Sequence, residues 1–145
     1  MKNHTLMSLL FIFILFSIAS KVHAETYRGD FCWQVFKGED PEWTYRFGVY
    51  EKEGGHYALY GREDDGFEGI TAVHGSAAIV GSDVKLAIIS AGYSEAFGAW
   101  SETLSAVLNI STLSGVWHAL GAIGDGSGSP RQYHTNGKIN LITCL

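Results

Sequence analysis

The sequence predicts an all-β protein, an eight-stranded antiparallel up-and-down β-barrel. Apolar and polar residues alternate with period 2 through most of the chain, clusters of Gly, Asn, Asp or Ser break the alternation at short intervals, and no apolar set holds helical spacing for long. With 145 residues, 46% of them hydrophobic and 17% charged, the chain builds one domain with a real core and is not disordered.

Residues 1–24 stand apart. Lys2 supplies a basic start, residues 6–18 are an almost unbroken apolar run, and Val22-His23-Ala24 places compact side chains where a signal peptidase reads. The apolar run falls short of the roughly 20 residues that cross a bilayer, so the segment reads as a secretory signal peptide and residues 25–145 as the mature domain. The residues before Cys32 lack the small side chains of a lipoprotein site. A secreted or periplasmic protein with no membrane span is expected.

Removing the leader takes away Lys2 and Lys21, two of the ten basic residues, and none of the 15 acidic ones, so the net charge falls from -5 to -7. The longest charge clusters are acidic, Glu39-Asp40 with Glu42 and Glu63-Asp64-Asp65, which disfavours nucleic acid and anionic membrane surfaces as partners.

Eight segments carry strand alternation. Residues 30–36 present Phe31, Trp33 and Val35 to one side, residues 45–52 present Tyr45, Phe47 and Val49, and residues 56–62 present Tyr57 and Leu59. Residues 70–80 form the fourth strand, and residues 84–90, with Leu86 and Ile88 inward, form the fifth. Residues 100–110 have helical propensity early on, but Trp100, Glu102, Leu104, Ala106 and Leu108 alternate with Ser101, Thr103, Ser105 and Val107, which is a strand. Residues 115–123 and 138–143 complete the set. Glu53-Gly54-Gly55, Asp64-Asp65-Gly66 and Gly81-Ser82-Asp83 supply the turns. Residues 124–137 read as one long loop, functional or mobile.

Sequential antiparallel strands close naturally, because closure removes both unpaired edges. Cys32 and Cys144, the two cysteines, lie on the first strand and at the end of the last, on faces opposite Phe31 and Trp33 and opposite Ile139 and Leu141. In an oxidising compartment a disulfide is the default, and here it would join neighbouring strands at the point of closure. A two-sheet sandwich with the same strand count is the alternative. The outward face carries Phe36, Tyr50, Tyr60, Ile89 and Val107, apolar enough to suggest a protein partner or self-association.

A secreted chain of eight short strands opening with Gly29-Asp30-Phe31-Cys32-Trp33 resembles the calycin group of ligand-binding barrels, lipocalins and avidins among them. The Gly-x-Trp start of lipocalins is stretched to Gly29-x-x-x-Trp33, and the last strand offers Lys138 where they carry a late Arg. Gly137-Lys138-Ile139-Asn140-Leu141 resembles an avidin final strand, but the Asn- and Ser-containing first-strand segment that holds biotin is absent, so no biotin residue is carried over. The resemblance implies a barrel whose mouth or interior binds one small apolar or aromatic molecule.

Glu102 shares a face with Trp100 and Leu104; it either sits solvated at a strand end or anchors a polar ligand group at the mouth. Trp33, Trp100 and Trp117 either stack on a ligand or fill the core. The expected ligand site is Trp33, Tyr45, Trp100 and Glu102, with no catalytic residue assigned and no cofactor. His56, His74, His118 and His134 show no short zinc-like spacing, and His74 and His118 read as hydrogen-bonded structural residues within apolar strands. Ser127 and Ser129 form no nucleophile elbow. Asp64-Asp65-Gly66 and Asp125-Gly126 lack the spaced oxygens of an EF-hand and read as turns. Asn109-Ile110-Ser111 fits a glycosylation sequon. The leading reading is therefore a non-enzymatic binding barrel. Its rivals are an interaction or inhibitor module with a filled interior, using its outer face or the 124–137 loop, and a small enzyme pairing Glu102 with a His.

Overall fold

A computed structural model describes residues 25–64, 69–95, 98–124 and 130–145. Eight strands follow one another in chain order: β1 (Thr26–Lys37), β2 (Asp40–Glu51), β3 (His56–Asp64), β4 (Gly69–Val80), β5 (Asp83–Ser94), β6 (Gly98–Asn109), β7 (Gly115–Ile123) and β8 (Arg131–Ile142). Each pairs antiparallel with the next, and β8 returns to β1, so the sheet is a closed barrel and the sandwich alternative falls away. The expected leader lies outside the described residues, as do most of Asp64-Asp65-Gly66 and residues 125–129.

Alternation sets the two faces as the sequence indicates. Val35, Tyr45, Phe47, Ile88, Leu104 and Ile139 all point inward and are fully buried, forming a solid waist across the barrel. The expected tight turns also form: Gly54 and Gly55 (φ 71° and 76°) turn β2 into β3, and Gly81 (φ 65°) turns β4 into β5. One end of the barrel, the near end, holds the start of β1, these two turns, the 110–114 turn and the C-terminus. The other, the far end, is where β1 gives way to β2 through Gly38.

Closure runs through five residue pairs, from Cys32↔Ile142 to Phe36↔Lys138, and the Cys32–Cys144 disulfide lies beside them with its Cα atoms 5.2 Å apart. Although Cys32 faces outward it is only 3% exposed. The residues beyond β8 lie back over the outer face, where Arg46 Nη1 donates to the Leu145 carbonyl at 3.3 Å and Arg46 Nη2 to Asp30 Oδ2 at 2.9 Å.

Two expectations require correction. The 124–137 loop is shorter than the sequence indicates, since residues 131–137 belong to β8 and pair with β7 from Ile123↔Arg131 to Trp117↔Gly137. His74 and His118, expected as hydrogen-bonded structural residues within apolar strands, are exposed on the outer face, where His74 meets the edge of Tyr60 with ring centroids 5.7 Å apart. Their strands are apolar on the inward parity, and both histidines sit on the other one.

Candidate functional site

The waist leaves a cup at each end. The near-end cup has a volume of about 390 Å³ and is walled by inward side chains from successive strands, chiefly Phe31, Trp33, Leu59, Leu86, Leu108 and Leu113. Among the described residues its charged groups are Arg28 and Glu51, which form an ion pair with each other at the lip. Trp33 stacks on Phe31 (5.8 Å, 17°), and its Nε1 donates to the Leu113 carbonyl at 2.9 Å.

Leu113 has φ 50°, a left-handed conformation that costs a branched side chain roughly 1–2 kcal/mol. The 110–114 turn holds it there. Asn109 Oδ1 accepts from the Ser111 amide at 2.9 Å, and the Leu113 amide donates to the Asn109 carbonyl at 2.8 Å. The turn so held places Leu113 in the wall of the cup.

The far-end cup, about 410 Å³, has different chemistry. Trp43, Trp100, Tyr133 and Ile123 supply its apolar surface, and Glu42, Glu63 and Glu102 its acids, with Lys37 and His134 also present. Glu102 is 5% exposed. Its Oε2 accepts from the Tyr133 hydroxyl at 2.9 Å and its Oε1 from the Tyr45 hydroxyl at 3.3 Å.

Gly121 makes this possible. It pairs with Glu102 on one side and Tyr133 on the other, and a Cβ there would overlap the Tyr133 ring, so the missing side chain lets that ring lie across β7 and reach the carboxylate. Burial raises the Glu102 pKa above the ordinary carboxylate value, partly offset by the two tyrosine hydrogen bonds. Burial likewise raises both tyrosines, with the Glu63 and Glu102 charges adding to the rise at Tyr45 and Glu102 leading the charge effect at Tyr133.

The four residues expected to share one mouth divide between the ends. Tyr45, Trp100 and Glu102 belong to the far end, where Tyr45 and Glu102 are hydrogen-bonded. Trp33 lines the near-end cup although it is the direct cross-strand partner of Tyr45: its indole reaches the 110–114 turn, while the Tyr45 hydroxyl reaches Glu102 near the start of β6. Trp117 is core, 2% exposed, with Nε1 donating to the Lys138 carbonyl at 2.9 Å and the Phe36 carbonyl at 3.2 Å. The solvated reading of Glu102 is overturned by its burial.

No family model, curated protein or solved structure matches this chain. Sequence reasoning missed Tyr133, Trp43 and Gly121 at the far end, and Ala77 and Leu113 at the near end. Trp43 was within reach, since it continues the Tyr45, Phe47, Val49 parity one step earlier. Among the described residues no group of His, Cys, Asp or Glu is arranged to hold a metal, and no helix is long and apolar enough to cross a membrane.

The burial of Glu102 predicts a pH effect. A carboxyl whose folded pKa lies above its unfolded value stabilises the fold while protonated, and that stability is lost as pH rises from the unfolded value, near 4.5, through the raised folded one. Glu102→Gln, which keeps shape and hydrogen bonding without the charge, is expected to melt above the parent protein at pH 8. The difference should vanish by pH 4. Calorimetry across that range checks it, and a variant less stable at pH 8 than at pH 4, relative to parent, contradicts the sign.

Proposed function

We propose that this protein is a secreted or periplasmic, non-enzymatic barrel that binds a small apolar or aromatic molecule in its near-end cup. The observation that carries the reading is the cup itself: about 390 Å³ of almost wholly apolar surface at the mouth of a barrel whose waist is packed solid. Ligand sites of this size are concave, apolar and marked by few polar groups. Here those groups neutralise each other at the lip, so the cup favours an uncharged ligand. The basic and apolar leader and the disulfide support export, and the calycin-like architecture supports a barrel used as a container.

The indole proton of Trp33 sits in the cup wall and reports occupancy. Titrating the protein with naphthalene is expected to shift that NMR signal saturably while leaving the Trp100 indole unchanged. Ala77→Phe, which places a ring in the cup from β4, should weaken binding at least tenfold, and Ala77→Leu should do so by a smaller factor. Equal binding by parent and both variants would place the ligand elsewhere.

A protein-interaction module is the second reading. Ile89, Val116 and Leu120 are each more than 60% exposed on the outer face of β5 and β7. That reading gains if no apolar compound shifts Trp33.

A further inference from the structure

The far-end cup contains a buried carboxylate that pairs with no cation among the described residues. Glu102 has two hydrogen-bond partners among the described residues, both neutral tyrosine hydroxyls, and none of their ion pairs includes it. A carboxylate that is 5% exposed and lacks a cation is expensive, the more so with Glu63 acting on the same tyrosine. Directly across the β5–β6 ladder, Ser90 is 1% exposed and lies beside the Tyr45 hydroxyl that reaches the same carboxylate. Around this polar floor the cup is aromatic, with Trp43, Trp100 and Tyr133.

We propose that the far-end cup binds a small organic ammonium ion, with Glu102 as its counter-ion and the aromatic rings around its stem. The ammonium donates to the carboxylate. The aromatic faces attract the cation through their quadrupoles and shield its carbon atoms from water, a combination worth more for an organic cation than for a hydrated inorganic one. Glu42, Glu63 and Lys37 line the same cup. The site lies across the packed waist from the apolar cup, so it stands whether or not that cup is occupied.

Isothermal titration of the exported protein at pH 7.5 with 2-phenylethylammonium chloride, and separately with 2-phenylethanol, tests this. The ammonium compound is expected to bind one to one, with the neutral alcohol at least tenfold weaker. Glu102→Gln should lower the ammonium affinity at least tenfold while circular dichroism shows the fold intact, and Trp100→Ala should lower it several-fold. Ala77→Phe, at the other end, should leave it unchanged. Equal affinities for the two compounds would overturn the proposal in favour of a neutral ligand, and full displacement by 10 mM potassium chloride would overturn it in favour of an inorganic cation. Undiminished binding by Glu102→Gln, loss of binding in Ala77→Phe, or no heat at millimolar ligand would each overturn it outright.

Discussion

Replacing Cys32 and Cys144 together by alanine is expected to lower stability by about 4–5 kcal/mol, the chain-entropy value for a cross-link closing a loop of over a hundred residues. For a domain of this size that corresponds to a fall in melting temperature of roughly 15–20 °C. The cross-link matters here because of where it lies. β1 and β8 share five paired residues, whereas β4 and β5 share twelve across one tight turn. The ladder that closes the barrel is thus its shortest, and the one whose formation asks most of the chain, since its strands lie at opposite ends of the domain. Without the sulfur bridge the tail over Cys32 keeps the Arg46 contact with the Leu145 carbonyl, an exposed hydrogen bond at 3.3 Å. Scanning calorimetry of the parent with and without reductant, beside the double variant, checks the expectation. Reductant should bring the parent to the variant's midpoint and leave the variant unmoved. A difference below about 3 °C would mean that the ladder closes unaided.

Closure was legible in the sequence because it left a local trace, two cysteines on the same outward parity of the first and last strands. The eight strands were legible for a similar reason: where a strand crosses the waist, as β1 does at Val35 and β6 at Leu104, its inward positions are apolar and alternate with a more mixed outward set. The rule failed where the inward positions serve something else. In residues 131–137 the inward set is Tyr133, Thr135 and Gly137, two residues lining the far-end cup and one pressed against β1, so apolar alternation is absent and the segment reads as loop. The segment that was hardest to read as strand is thus the one lining the acidic cup. Trp33 and Tyr45 show a different limit. Parity places both inside, and their backbones pair, but which way each ring leans depends on partners some 60 to 80 residues away, Leu113 for one and Glu102 for the other. The burial of Glu102 likewise depends on Gly121, a residue whose contribution is the side chain it lacks.

Gly137→Ala is the second change expected to cost heavily, about 3 kcal/mol or more, at the upper end of what overpacking produces. A Cβ at this position would overlap the carbonyl oxygen of Phe36, a backbone atom with no rotamer to escape into, and would stand 3.1 Å from Trp117 Nε1. Phe36 and Lys138 form the last pair of the closing ladder, so relief requires β8 to move away from β1 there. The carbonyls of Phe36 and Lys138 are also the two acceptors of the buried Trp117 indole, and separating them threatens that hydrogen bond as well. Gly81→Ala is the control. Its φ of 65° is strained for alanine, but no atom lies within 4 Å of the new Cβ, so about 1 kcal/mol is expected. Urea unfolding distinguishes the two, and equal losses would show that β8 yields at no cost. Combining Gly137→Ala with loss of the disulfide then locates the damage. If both act on the same five-pair ladder their losses will deviate from additivity by 0.5 kcal/mol or more. Additive losses would instead assign the cost of Gly137→Ala to the Trp117 hydrogen bonds and leave the disulfide as the independent clasp.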